Sequence, residues 1–229
     1  MRAILPLISI LLLGWAGPAL ADRSQAQEAF AKGDYAAALE VLRPLAEGGD
    51  ARAQAYLGLM YRESLGVPRD FEISAAWYLR AAEAGEAEAQ SMMGIYYAEG
   101  FGVEQDYEKS HYWLTMAANR GEPNAQNSLG ALYKHGFGVE VDDQEAVRWY
   151  RRAARQGHAY GQKNLGVMYF RGRGLPQNSK LAYIWLYLAA EQGLPEAQEQ
   201  LETVAATLPM EEVNNLQSLA KDTPLFLHE

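Results

Sequence analysis

The sequence predicts an all-α protein, a right-handed α-solenoid of stacked helical hairpins with capping helices at both ends. Three observations lead to this fold class. The chain repeats itself every 36 residues from Ala51 onward, without an insertion or a deletion. Each repeat contains two segments that carry helix start and stop signals. Glycines at fixed positions separate these segments from one another.

The repeat is visible as aligned positions, at which the same residue type recurs at a spacing of 36 residues. Rows begin at Ala51, Ala87, Pro123 and Ala159, and a half row begins at Pro195. Chance does not align so many positions, so the period indicates a helical repeat array. The aligned residues are Trp77, Trp113, Trp149 and Trp185; Tyr61, Tyr97, Tyr133 and Tyr169; Gly58, Gly94, Gly130 and Gly166; Gly66, Gly102, Gly138 and Gly174; and Gly85, Gly121, Gly157 and Gly193.

Each row reads as two helices, a first helix A and a second helix B. In the first row, helix A is predicted over roughly 51–64 and helix B over roughly 71–84. Pro123 and Pro195 fall in the first turn of helix A, where proline costs no hydrogen bond. The glycines at the ends of the rows are expected to close helix B in a left-handed conformation. N-cap acceptors precede each helix B, namely Asp70, Asp106, Asp142 and Asn178.

The aligned glycines and aromatic residues also predict how the helices pack. Gly58 and its equivalents lie in the middle of helix A, where glycine costs about 1 kcal/mol relative to alanine. We expect this missing side chain to let helix B approach closely. The Trp and Tyr positions are expected to fill the space between helix A, helix B and the next row's helix A. A ladder of tryptophans that stacks on a ligand is the alternative, but regular repetition at a core-like position favours the core.

The third row carries the motif most completely: Ala125-Gln126, Leu129-Gly130, Tyr133, Gly136-Phe137-Gly138-Val139, Asp142, Trp149-Tyr150, Ala153-Ala154 and Gly157. This pattern resembles the Sel-one-like repeat, a relative of the tetratricopeptide repeat. The resemblance covers about two thirds of the chain and predicts four repeats, at 51–86, 87–122, 123–158 and 159–194. The departures are small: Ser64 replaces a loop glycine, Leu175 replaces the loop valine, and Gly161 replaces an alanine of helix A.

The regions outside the four repeats fit a capped stack, because a terminal repeat otherwise exposes its apolar face. Residues 22–50 resemble a tetratricopeptide hairpin, in which Pro44 is expected to kink or end the second helix. Residues 195–221 supply a half repeat and a C-terminal capping helix, and residues 222–229 a loose tail. The predicted apolar side of the capping helix consists of Val213, Leu216, Leu219 and Ala220.

The N-terminus predicts a secretory signal peptide over residues 1–21. Arg2 precedes an almost wholly apolar run that is short for a membrane span, and Ala19-Leu20-Ala21 offers a cleavage pattern. An uncleaved anchor helix is the alternative. No cysteine is present, so a lipid anchor on cysteine is excluded. We therefore expect a periplasmic or secreted protein that is cleaved after Ala21.

The residues give no catalytic, metal-binding or cofactor-binding motif. The four histidines, His111, His135, His158 and His228, have no metal-helix spacing, and neither Gly-x-Ser-x-Gly nor Ser-x-x-Lys occurs. Some cysteine-rich relatives are linked to penicillin binding and β-lactam hydrolysis, but this chain lacks their cysteines. The prediction is that the protein is not an enzyme and uses no cofactor and no metal.

Charge is distributed unevenly along the chain, whose net charge of −9 argues against nucleic-acid binding. Residues 22–122 carry 9 Lys/Arg against 17 Asp/Glu, a net of −8, and residues 181–229 carry 1 against 8, a net of −7. Between them, residues 123–180 carry 9 against 4, a net of +5. This basic zone is either a solvated helix face or a docking patch for an acidic protein segment or an anionic polysaccharide.

In stacks of this type helix A lines the concave side, so the helix A residues that vary between rows are candidate partner contacts. A mixture of polar and aromatic residues suits peptide recognition. The proposed partner-binding residues are Arg52, Arg62, Asn124, Asn127, Lys134, Tyr160, Lys163, Phe170 and Arg171, and further variable positions are Ala55, Glu88, Ser91 and Met92.

The resemblance implies a non-catalytic scaffold or adaptor of the bacterial cell envelope that binds a segment or domain of another protein in its groove. It is an analogy, because a fold hosts many functions. Two alternatives remain open at this point. One is a hydrolase acting on cell wall or β-lactams, and the other is a polysaccharide-handling envelope protein that uses the basic zone 134–180.

Overall fold

The structure, a computed structural model, describes residues 20–222. Over this range it contains twelve α-helices and no strand. Successive helices pack against each other as hairpins, and the all-α solenoid class predicted from the sequence is confirmed. The predicted signal peptide lies almost wholly outside the described residues, as does the tail beyond Asp222. The chain divides into two compact units, Met1–Gln105 and Asp106–Glu229.

The first unit contains five helices, and each packs against the next one in the sequence. Short loops join them, the longest at residues 64–70, so neighbouring helices pack as antiparallel hairpins. The helices are α1 (Leu20–Ala31), α2 (Tyr35–Glu47), α3 (Ala51–Glu63), α4 (Phe71–Glu83) and α5 (Ala87–Glu99).

The second unit contains seven helices, and α9 contacts both α7 and α11, so that these three form one layer. The last helix departs from the repeat, because it packs against α10. The helices are α6 (Tyr107–Asn119), α7 (Pro123–His135), α8 (Asp143–Arg155), α9 (Ala159–Arg171), α10 (Ser179–Glu191), α11 (Pro195–Ala205) and α12 (Met210–Asp222).

The predicted helix boundaries are confirmed by their capping contacts. Asp70 accepts a hydrogen bond from the backbone N–H of Ile73 at 2.9 Å, and the three equivalent residues cap their helices in the same way. Such a side chain satisfies one of the orphan donors of the first turn. The predicted left-handed glycines also occur, since Gly85 has φ +92° and Gly121 has φ +94°.

A buried glutamine ties each helix A to the helix before it. Gln126 donates from Nε2 to the backbone oxygen of Ala118 at 3.1 Å, and its Oε1 accepts from Gln156 at 2.8 Å. A buried amide costs free energy unless it is hydrogen-bonded, so these contacts fix the glutamine and the helix end that it meets. The same donation joins Gln54 to Ala46, Gln90 to Ala82, and Gln162 to Ala154.

The prediction that the tryptophans are core residues is confirmed for Trp149 and Trp185, whereas Trp77 and Trp113 are only half-buried. Trp149 of α8 is 9% exposed and lies in one apolar cluster with Leu114 of α6 and Leu129 of α7. Trp185 of α10 is clustered in the same way with Tyr150 of α8 and Leu165 of α9. The clusters of these two tryptophans therefore include the preceding row's helix B, whereas Tyr133 and Tyr169 pack against clusters that include the next row's helix A, as predicted.

The glycines inside helix A allow the close approach that the sequence predicts. A Cβ at Gly130 would lie 2.8 Å from the ring of Tyr150, and a Cβ at Gly58 would lie 2.8 Å from the ring of Tyr78. Both distances are shorter than normal carbon contacts, so any larger residue would push helix B away. This prediction is confirmed.

The loops between helix A and helix B bind the row before them. Phe101 stacks on Phe71 with ring centroids 5.3 Å apart, and Phe137 stacks on Tyr107 at 4.9 Å. In the next row, the equivalent pair is ionic, because Arg173 binds both carboxylate oxygens of Asp143 at 2.7 and 2.9 Å. One position in the fold is thus filled by two different kinds of contact, which sequence alignment of the rows does not reveal.

The two ends of the stack correct two expectations. The sequence predicts that Pro44 kinks or ends α2; the proline does not end the helix, which continues to Glu47, because proline removes only one hydrogen bond of the last turns. In α12, Leu216 and Ala220 are buried, but Leu219 is 40% exposed. The helix turns so that its 216 and 220 side chains contact α10, which leaves Leu219 on the outer side.

The glutamine contacts predict a stabilising substitution at Ala84. Gln54 Oε1 is buried without a hydrogen-bond partner, whereas Gln126 Oε1 has Gln156 as its donor. Ala84 is the equivalent of Gln156 and has nearly the same backbone angles. Ala84→Gln should therefore raise the free energy of unfolding by about 1 kcal/mol, measured by urea denaturation.

Ala84→Met is the matched control, because methionine has a similar length and no donor. It should leave the free energy of unfolding within about 0.5 kcal/mol of the original. An equal gain from both substitutions would show that the side-chain volume, and not the hydrogen bond, is responsible.

Candidate functional site

A shallow groove with three cationic side chains crosses the helix A layer of the second unit. It has a volume of about 160 Å³ and lies between α7, α9 and α11. Lys134 comes from the last turn of α7, Lys163 and Arg171 come from α9, and Gln200 comes from α11. The remaining lining residues are Asn164, Val167 and Glu196. We call these seven residues the cationic groove.

The electrostatics of the groove are those of an anion site. The pKa of Lys134 is lowered, first by burial and then by the positive charges of Arg173, Arg171 and Lys163. Asp143 acts in the opposite direction. None of the ion pairs between described residues involves Lys134, Lys163 or Arg171. Like charges that are brought together without a carboxylate partner favour the binding of an anion from outside.

Three of the predicted partner-binding residues, Lys134, Lys163 and Arg171, are thus brought together. Tyr160 lies one turn before Lys163 on α9, and the Lys163 Nζ is 5.2 Å from its ring centroid. The Tyr160 ring is 46% exposed, so the cation and the aromatic face form one accessible surface. Phe170 is half-buried and packs against the cluster of α10, α11 and α12, so it does not belong to the groove lining.

The two predicted asparagines are engaged in contacts between helices. Asn127 accepts from Asn164 Nδ2 at 2.8 Å, and Asn124 Oδ1 lies 3.0 Å from His158 Nε2. Both residues are half-buried. The two contacts join α7 to α9 and to its N-cap residue, and Asn164 is at the same time a lining residue of the cationic groove.

The predicted contacts Arg52 and Arg62 lie on α3 in the first unit. Arg52 binds Glu86 at 3.2 Å, and Arg62 binds Glu63 at 2.7 Å and contacts the sulfur of Met92 at 3.1 Å. The Arg62 side chain is only 14% exposed. Both arginines therefore have carboxylate partners within the chain, unlike the cations of the groove.

Two of the variable helix A positions are not accessible. Ala55 is 4% exposed and Ser91 is 2% exposed, so neither can contact a partner. Their equivalents Asn127 and Lys163 are half-buried. The reason is side-chain length, because alanine and serine end below the surface that the longer side chains reach. The expectation for Ala55 and Ser91 is wrong.

The sequence gives no signal for Asn164, Val167, Glu196 and Gln200 as neighbours of the three cations. Asn164 and Val167 belong to the fourth repeat, and Glu196 and Gln200 belong to the half repeat. Their proximity depends on how α9 and α11 are rotated about their own axes. Glu196 is an exposed residue at the start of α11. The groove therefore has a cationic side on α7 and α9 and one carboxylate on its opposite side.

His158 has a structural role that the sequence does not indicate. It is the N-cap of α9, where its Nδ1 accepts from the backbone N–H of Gly161 at 3.0 Å. The same ring contacts Asn124 through Nε2, which requires the tautomer protonated on Nε2. Burial lowers the pKa of His158 to about 4. The neutral ring is therefore part of the folded state.

The comparisons with known proteins place the repeats in a family. The Sel1 repeat profile matches residues 51–86, 87–122, 123–158 and 159–194. The chain belongs to the Sel1 repeat family. No curated protein matches the sequence. Proteins with Sel1 repeats are generally non-catalytic scaffolds that bind other proteins.

Solved structures agree with this assignment. A Sel1 repeat protein from Oxalobacter formigenes superposes with a TM-score of 0.74 at 28% identity, covering 86% of this chain and 83% of that one. The c5321 protein, a protective antigen in uropathogenic Escherichia coli strains with an SLR fold, gives 0.70 at 36% identity. That match covers 80% of this chain and only 41% of c5321. A Klebsiella pneumoniae subsp. pneumoniae structure shares the fold, with a TM-score of 0.53 at 23% identity over 80% of this chain and 93% of that one.

Two further properties concern the described part of this Sel1 repeat protein. No group of three or more histidine, cysteine, aspartate or glutamate side chains within it is arranged to hold a metal ion. None of the helices over residues 20–222 has both the length and the apolar composition needed to span a bilayer.

The capping histidine predicts a pH dependence of stability. Because its folded pKa is about 4 and an unfolded histidine titrates near 6.5, the unfolded chain binds this proton first as the pH falls. The contribution of neutral His158 to the free energy of unfolding is therefore complete above about pH 6.5. It is lost progressively toward pH 4, by roughly 3 kcal/mol in total. Comparing the free energies of unfolding at pH 7 and pH 5 measures this loss.

His158→Asn provides the reference, because asparagine can cap a helix but does not titrate in this range. As the pH falls from 7 to 5, the free energy of unfolding of the original chain should decrease more than that of this variant. A difference that is independent of pH would contradict the assignment of a buried, neutral His158.

Proposed function

We propose that this Sel1 repeat protein is a non-catalytic adaptor of the bacterial cell envelope, and that the cationic groove binds a segment of a partner protein. The single observation that carries the proposal is the meeting of Lys134, Lys163 and Arg171 in one groove without an ion-pair partner among the described residues. The protein-binding role typical of the family supports a peptide as the ligand.

The chemistry of the groove favours an acidic segment. Two flexible ammonium groups and a guanidinium can bind two or three carboxylates, and the amides of Asn164 and Gln200 can bind peptide backbone. Val167 and the exposed face of Tyr160 offer apolar contact beside them. A mixed surface of this kind is typical of peptide recognition. Glu196 disfavours a ligand that is anionic along its whole length, such as an anionic polysaccharide.

The envelope location in this proposal comes from the N-terminal sequence alone. The charged start, the apolar run and the Ala19-Leu20-Ala21 pattern support secretion with cleavage after Ala21. Cleavage can be tested by determining the N-terminal residue of the protein isolated from its native host. An N-terminus at Met1 in the isolated protein would contradict this part of the proposal.

The two alternatives have no comparable support. No contact of the described residues favours a hydrolase of cell wall or β-lactams. For the polysaccharide alternative, several cations of the basic zone already have partners within the chain. Arg173 and Lys180 are paired with Asp143 and Glu212, and Arg151 donates to the hydroxyl of Tyr169. This division leaves only part of the basic zone available to a long polyanion.

Binding of an acidic peptide tests the proposal directly. The probe is a fluorescein-labelled peptide of alternating glutamate and alanine, and its fluorescence anisotropy is measured as the chain is added. Because the chain has a net charge of −9, attraction to this peptide must come from a local patch. We expect Lys134→Glu combined with Lys163→Glu to weaken binding by at least about tenfold.

Lys32→Glu combined with Arg69→Glu is the matched control. It changes the net charge by the same amount at two exposed residues of the first unit, outside the groove. We expect this control to bind the peptide within about twofold of the original, with the helical circular dichroism of both variants unchanged. Equal weakening by both pairs would contradict the groove, as would binding of a glutamine–alanine peptide with the same affinity.

A further inference from the structure

The cationic groove changes its charge on the side that α11 forms. Glu196 lies in the first turn of α11, is exposed and lines the groove together with Gln200, which follows one turn later on the same face. None of the ion pairs between described residues involves Glu196. A carboxylate that lines a groove without a cationic partner in its own chain is available to a cation of the ligand.

The opposite charges of the groove are separated along the helix axes. Helices α7, α9 and α11 begin at equivalent positions of the repeat, and α9 contacts both of the others, so the three lie side by side and run in the same direction. Lys134 and Arg171 lie in the last turns of α7 and α9, whereas Glu196 lies in the first turn of α11. About ten residues at a rise of 1.5 Å offset these charges by about 15 Å along the axes.

The middle of the groove contains one cation and two amides. Lys163 forms no ion pair with Glu196, and its Nζ lies 5.2 Å from the ring centroid of Tyr160 on its own helix. Asn164 and Gln200 occupy equivalent positions of α9 and α11 and line the groove between its charged ends. Because an amide both donates and accepts, these two side chains suit the backbone of an extended peptide.

This arrangement of charges restricts the ligand. A segment that is anionic throughout would bring a carboxylate to Glu196, and a segment that is cationic throughout would meet Lys134, Lys163 and Arg171. A segment that carries both signs at separate places satisfies both ends of the groove. Since an extended peptide rises about 3.3 Å per residue, an offset of about 15 Å corresponds to about five residues.

We propose that the groove selects a segment of a partner protein in which two or three acidic residues are followed or preceded, about five residues away, by one lysine or arginine. The acidic residues bind Lys134, Lys163 and Arg171, and the basic residue binds Glu196. The inference rests on the proposed function, because it assigns a sequence pattern to the peptide that the groove binds. Glu196 is then a specificity-determining residue, which rejects segments that are acidic along their whole length.

Four labelled peptides test the pattern by fluorescence anisotropy with the full chain. The first contains three glutamates, four alanines and one lysine in this order, and the second has the reverse order, because the charges do not define the direction of the peptide. In the third, glutamine replaces the lysine of whichever order binds more tightly. The fourth has the composition of the first, with the lysine placed between the glutamates. We expect the third and the fourth to bind about three- to fivefold more weakly, the range of one exposed ion pair.

Glu196→Gln shows whether this preference depends on the proposed contact. In this variant, the peptides with lysine and with glutamine should bind with equal affinity, since the carboxylate that distinguishes them is lost. Glu202→Gln is the matched control, because Glu202 is an exposed carboxylate of α11 that accepts from Gln198 and does not line the groove. It removes the same charge and should keep the three- to fivefold preference.

Equal binding of the lysine and glutamine peptides to the original chain would overturn the inference, and so would a preference for lysine that survives Glu196→Gln. If the peptides still bind and Lys134→Glu with Lys163→Glu still weakens them, the proposed function stands without the inference. Absence of binding by all four peptides would overturn both.

Discussion

The architecture depends on one interaction, the hydrogen bond from a buried glutamine side chain to the end of the preceding helix. Gln54, Gln90, Gln126 and Gln162 all donate to a backbone oxygen eight residues before them. Each bond joins the start of one helix A to the last turn of the helix before it. Since the amide is buried, a shifted register would leave it unpaired at a cost of about 1–3 kcal/mol. The apolar contacts of Trp149 and Trp185 then act on helices whose register is already fixed.

This constraint leaves the surface free to differ between repeats. At one loop position, two aromatic pairs and one Arg–Asp pair perform the same packing role. On helix A, the position of Ala55 holds Ser91, Asn127 and Lys163 in the later rows. On helix B, the exposed residues Tyr112 and Met116 of α6 are replaced by Arg148 and Arg152 at the equivalent positions of α8. Function in such a fold is carried by these variable positions, and the regular spacing of the core only determines where they lie.

The sequence predicts the elements whose signal is local. The N-cap of Asp70, the turn at Gly85 and the close approach at Gly130 depend on a few neighbouring residues, and all three are confirmed. The groove is predicted only in part. Lys134, Lys163 and Arg171 vary along helix A, which is visible in the rows, but Gln200 joins them through the packing of α11 on α9. The exposure of Leu219 likewise depends on helix rotation, which a 36-residue period does not specify. The capping role of His158 is local, but the sequence does not predict it, because histidine is not among the common N-cap residues.

The most direct measurement of the central claim is the free energy of unfolding of Gln126→Met. Methionine matches the length of glutamine but cannot donate to the Ala118 oxygen or accept from Gln156. We expect a loss of about 2 kcal/mol in urea denaturation, against a change within about 0.5 kcal/mol for Gln144→Met at an exposed position of α8. A Gln126→Met chain as stable as the original would show that apolar packing alone sets the register, and would contradict the role assigned to the buried glutamines.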